Sequence, residues 1–125
     1  MAATVSTSTQ ATPIGTELYV VKESATVSDD VLLDAAGGNI LAVEIDNTGN
    51  TSAAYLLLWD LIDTSVTVGT TDETFIFMAP AASRITYACP GGAVYTTKLT
   101  AAISAAPHSA TGPGVAVTAY VLVGA

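Results

Sequence analysis

The chain carries one histidine, His108, and one cysteine, Cys89. Histidine serves as acid, base or metal ligand near neutral pH when a carboxylate or thiol orients it. His108 stands in Ala105-Ala106-Pro107-His108-Ser109, with no Asp or Cys beside it, and reads as a surface loop residue. A Ser–His–Asp triad assembles only in space, but the G-x-S-x-G nucleophile elbow is absent from the sequence. Cys89 precedes Pro90 and continues the alternation Ile85, Tyr87, Cys89. That parity predicts a buried small apolar side chain. A single cysteine cannot close an internal disulfide, so it leaves the redox compartment open.

Metal and ligand chemistry is equally thin. Zinc sites take several Cys and His, and the chain has one of each. Asp46-Asn47-Thr48-Gly49-Asn50 and Asp60-Leu61-Ile62-Asp63 are oxygen-rich, yet neither has the twelve-residue spacing of an EF-hand. Asp and Asn at such places cap turns. The pairs Asp29-Asp30 and Asp72-Glu73 read as solvated carboxylates at turns. Gly37-Gly38 and Gly91-Gly92 lack the following helix and lysine of a phosphate loop. Trp59 and the tyrosines could form a sugar platform, but Tyr55, Tyr87 and Tyr95 share the apolar parity of their strands and are expected in the core. No catalytic residue, cofactor or metal is assigned, and an enzyme is not expected.

Charge narrows the partners. Of 125 residues only 11% are charged, and Lys22, Arg84 and Lys98 face 11 acidic groups for a net charge of −8. An average domain is about 25% charged. Three scattered cations cannot displace the counterions of a nucleic acid or hold an anionic membrane surface. Apolar runs are broken by Pro107, Pro113 and glycines, so no transmembrane helix is expected. The N-terminus shows neither a basic nor an apolar leader region. The mean hydropathy of +0.54 excludes disorder for most of the chain, and the length predicts one domain.

The elements that must position these residues are strands. Apolar stretches at Leu18–Val21, Val31–Leu33, Ile40–Ile45, Ala54–Trp59, Phe75–Met78, Ile85–Cys89, Val94–Leu99 and Val115–Val123 are separated by turn clusters rich in Gly, Asp, Asn and Pro. Such spacing predicts an all-β antiparallel sandwich of about eight strands, with the eight-stranded jelly roll as the natural member and an immunoglobulin-like sandwich second. Leu41, Val43 and Ile45 are expected on one face, as are Val115, Val117, Ala119, Val121 and Val123. Helical turns are conceivable only at Val31–Ala36 and Ala101–Ala106. The domain is assigned to residues 17–125.

Residues 1–16 carry no charge and no aromatic ring. They are expected to form a flexible or extended arm, able to order along a neighbouring subunit's sheet edge with Ile14 as an anchor. Two strands also break the alternation. Tyr55-Leu56-Leu57-Leu58-Trp59 and Phe75-Ile76-Phe77-Met78 are apolar on both faces, and a second apolar face needs a cover. A loop of the same chain or another protein could supply it. Leu56, Leu58, Ile76 and Met78 are therefore the candidate off-core interface residues, with a homo-oligomer, trimer or dimer, expected.

Val43-Glu44-Ile45-Asp46-Asn47-Thr48, followed by Ala53-Ala54-Tyr55-Leu56-Leu57-Leu58-Trp59-Asp60, resembles small virion proteins of tailed bacteriophages. In these an I-D-N-T turn precedes a strand of the Y-x-x-L-W/Y-D type. Val66–Thr71, Ala79–Arg84 and Pro90–Tyr95 resemble the same proteins' V-x-V-G-T-T, P-A-G-A-S-R and P-G-G-I-x-F pieces, with Ala82 departing from the glycine-containing form. The likeness spans Leu41 to Leu99. It implies a capsid decoration (cement) protein of jelly-roll fold on the virion surface, partnered by the major capsid protein. Another virion component, such as a head-fibre base or tail accessory protein, is the next reading. A non-viral carbohydrate-binding sandwich is the third, and ring-exposed aromatics on one flat face would favour it.

Overall fold

Val117, Ala119, Val121 and Val123 are buried and their neighbours are not, which is the period-two signature of a strand with one wet face. Most of the chain follows this rule. The computed structural model describes residues 3–9 and 17–124. Among them are β1 (Thr4–Thr9), β2 (Glu17–Glu23), β3 (Val31–Asp34), β4 (Gly38–Asp46), β5 (Ala54–Trp59), β6 (Phe75–Ala79), β7 (Arg84–Tyr95), β8 (Leu99–Ser104) and β9 (Val117–Gly124). A short 3-10 turn at Asp63–Ser65 is the helical element.

The strands form two antiparallel sheets, one of order β1-β2-β9-β4-β7 and one of order β3-β8-β5-β6. Their inner faces make one core. Tyr19, Val21, Val43, Ile45, Ala119 and Val121 from the first sheet meet Leu33, Leu56, Leu58, Leu99, Ala101 and Ile103 from the second. Each fully buried Leu or Ile adds roughly 1.5–3 kcal/mol to the folded state. The β-sandwich expectation holds, with nine strands among the described residues.

Local differences have physical causes. A bulge between Ile40 and Ala42 shifts the register of β4 against both neighbours. Ile40 thereby enters the core in place of Leu41, while Val43 and Ile45 stay there. Pro90-Gly91-Gly92 does not end a strand. With both glycines at positive φ, the kinked segment continues β7 to Tyr95. Leu99–Ser104, part of which could have been a helical turn, is β8, buried along its whole length. A run of small and apolar residues covered on both faces has no period to read. Val115 stays exposed and outside β9.

In this chain Thr4–Thr9 lie antiparallel on β2 of the same molecule, from Thr4 opposite Lys22 to Thr9 opposite Glu17. Ala3 packs against the core cluster. Ile14, the expected anchor of the arm, falls outside the described residues.

Candidate interaction surface

β5 sits between β8 and β6 in the four-stranded sheet. Leu56 and Leu58 point into the sandwich core, so the expectation that they lie off-core is corrected. Leu57 and Trp59 occupy the outer face instead, packed with Ala102 and the half-buried Tyr55. A continuous apolar run hides its own parity, and only the facing sheet decides which alternate set goes inside. The outer set is covered by the loop of residues 60–74, which lays Val66 and Val68 on Leu57 and Trp59. The Trp59 indole N–H donates to the Thr71 carbonyl at 3.0 Å, satisfying its one donor.

The cover does not extend over β6. Ile76 and Met78 are 44% and 39% exposed, opposite Leu57 and Tyr55 respectively. These two candidate residues lie on the outer surface. β6 is the last strand of its sheet, and Phe75-Ile76-Phe77-Met78-Ala79 contains no charge, proline or glycine. Edge strands are ordinarily blunted by such residues. Its neighbour across the sandwich rim is β7, also an edge. The Tyr87 hydroxyl donates to the Met78 carbonyl, and the Phe77 and Tyr87 rings stand 5.3 Å apart. Cys89, half-buried, packs against the core there.

Polar groups elsewhere are tied to the fold. Arg84 bonds Glu44 and Asp46 and lies 5.7 Å from the centre of the Tyr120 ring. The hydrogen bond to Glu44 and that group's charge raise the Arg84 pKa. The Asp46 carboxyl is lowered by hydrogen bonds from the Thr48 side chain and backbone. Tyr19 and Tyr95 are buried with their hydroxyls on Glu17 and Asp34, each at 2.6 Å. Burial, then those contacts, raises both phenols.

Asn47 is fully buried and donates to the carbonyls of Ser52 and Pro80 at 2.9 and 3.0 Å. The two oxygen-rich segments thus serve turns and backbone amides, and no cluster of metal-ligating side chains occurs among the described residues. A shallow groove of about 160 Å³ on the other sheet is lined by residues including Leu18, Glu44, Thr86 and Tyr120. Trp59 and Tyr95 are buried, so neither supplies an exposed ring.

Sequence reasoning missed one site. Glu73 was expected to be solvated, but its side chain is 4% exposed and lies 3.0 Å from His108. The two residues are 35 positions apart, and no local spacing signals the pairing. Compared with protein-family models, with curated proteins and with solved structures, the chain matches none.

Proposed function

We propose that this protein is a structural virion component, a capsid decoration protein that sits on the outer surface of a tailed-phage head and bridges capsid subunits. The observation that carries the reading is the bare apolar strip of Ile76 and Met78 on the uncharged edge strand β6. In a chain of net charge −8 with 11% charged residues, that strip is where close contact meets no like charge. The sequence resemblance from Leu41 to Leu99 supports the same role. The strand orders β2-β9-β4-β7 and β3-β8-β5-β6 support reading the sandwich as a jelly roll with β1 added.

A cement protein needs a body that does not deform and contacts to more than one subunit. Several weak contacts to neighbouring major capsid proteins multiply into firm attachment. Self-association into a dimer or trimer on a symmetry axis of the shell would supply that multivalency. The test is binding to heads stripped of this protein, followed by electron microscopy. Density for a sandwich on the head surface, and weaker occupancy by Ile76→Lys, are the expected results. Density confined to the tail, or equal occupancy by that variant, would overturn the reading.

A further inference from the structure

The loop of residues 60–74 meets the loop of residues 105–116 in two places. At Gly69, whose φ is +87°, an added Cβ would stand 3.0 Å from the backbone nitrogen of Ala110. At Glu73, Oε1 lies 3.0 Å from Nδ1 of His108. The other carboxylate oxygen, Oε2, is buried without a hydrogen-bond partner. His108 is 45% exposed on its side chain and holds a left-handed backbone at φ 52°. A non-glycine residue adopts that region at a cost, here while presenting its ring to the carboxylate.

We propose that His108 and Glu73 form a proton-operated latch on the loop that covers Trp59, closed while His108 is protonated and loosened when it is neutral. A carboxylate withdrawn from water is costly without a cation or hydrogen bonds. Imidazolium supplies both. Neutral imidazole supplies at most one uncharged hydrogen bond and leaves Glu73 without a counter-charge.

Few other charges bear on the pair. Asp72 acts on His108 with the same sign as Glu73. His108 is the one charged or titratable side chain in residues 105–116. On the covering loop, Asp60 is bound by the amides of Thr96, Thr97 and Lys98, and the charge of Asp63 acts on Asp30. The hydrogen bond to Glu73, then its charge, raises His108 above the ordinary 6.5. The stabilisation is therefore complete below 6.5 and is lost as pH rises through the raised value. Loosening uncovers Leu57, Trp59 and Ala102, next to the open Ile76 and Met78, so the apolar strip widens with pH. This holds whatever particle the protein belongs to.

Trp59 is the sole tryptophan and His108 the sole histidine, which makes the test direct. Acrylamide quenching of Trp59 and hydrogen exchange of residues 60–74 are measured on the full chain from about pH 5.5 to 8.5, the span in which histidine titrates. We expect quenching, and exchange divided by its intrinsic base-catalysed rate at each pH, to rise in one step whose midpoint matches the His108 ring-proton titration. In His108→Asn, whose side chain tolerates the left-handed backbone, the step is lost. In Glu73→Gln the ring titration moves down toward 6.5. A flat wild-type profile, a step that survives in His108→Asn, or a ring titration unmoved by Glu73→Gln would each overturn the latch.

Discussion

The Asp60 carboxylate holds Thr96 twice, accepting from its backbone amide at 2.8 Å and its hydroxyl at 3.1 Å. The same side chain accepts from the amides of Thr97 and Lys98 at 2.8 and 3.2 Å. One carboxylate at the end of β5 thus organises the turn joining β7 to β8. It positions the start of the covering loop and the entry to the buried strand β8 together.

Asp60→Asn removes the charge and part of the acceptor capacity. Charge-assisted hydrogen bonds to amides are worth more than neutral ones, and solvent screening reduces the sum, so we expect a loss of about 1–2 kcal/mol in urea unfolding near pH 7. Burial acts to raise this carboxyl, but the amides of Thr96, Thr97 and Lys98 outweigh it and hold its pKa below 3.8. A depressed folded value means stability present above 3.8 and lost as pH falls through the folded pKa. The wild-type advantage over Asp60→Asn should therefore shrink below about pH 4.

Leu56→Ala and Ile76→Ala separate the core from the surface strip. Leu56 is completely buried and Ile76 is not. Leu56→Ala should cost about 2–5 kcal/mol by the loss of burial and the cavity left behind. Ile76→Ala should stay within about 1 kcal/mol. Similar costs by chemical denaturation would contradict the placement of Leu56 inside the sandwich and Ile76 on its surface.

Asn47→Asp is expected to be among the most damaging single-atom changes. The Asn47 amide nitrogen faces the carbonyls of Ser52 and Pro80 inside the protein. A carboxylate there would meet oxygen with oxygen, and an uncompensated buried charge costs about 3–5 kcal/mol. Thermal unfolding near pH 7, compared with measurements near pH 4 where the new acid can protonate, tests the cause. The deficit should narrow at the lower pH.

Gly112→Ala probes how tightly the loop preceding β9 meets the loop after β2. A Cβ at Gly112 would lie 2.2 Å from the Ala25 carbonyl oxygen, while the Gly112 amide donates to Thr26 at 2.8 Å. Backbone must move to admit the methyl group, so we expect about 1–3 kcal/mol of destabilisation in thermal melts.

Ile76→Lys and Met78→Lys test the strip as a contact surface. Both side chains are exposed on β6, so far-ultraviolet circular dichroism should be unchanged. Self-association in sedimentation, and attachment to stripped phage heads, should both weaken. Intact attachment by the double variant would overturn the reading that rests on this strip.

The sequence alone determined the class of fold. Turn clusters and period-two alternation in β4, β7 and β9 are local properties, and a half-wet strand must show them. The shortage of cations was likewise a matter of composition. The tertiary structure decided whatever depended on a second surface. Parity along Ala54–Trp59 was set by the facing sheet, which took Leu56 and Leu58 inward, and by the 60–74 loop, which covered Leu57 and Trp59. The bulge at Leu41 came from register against two neighbours. The pairing of Glu73 with His108 required two distant loops to meet. Local sequence carries propensity and period, whereas the identity of a partner across space is fixed only when the whole chain closes around one core.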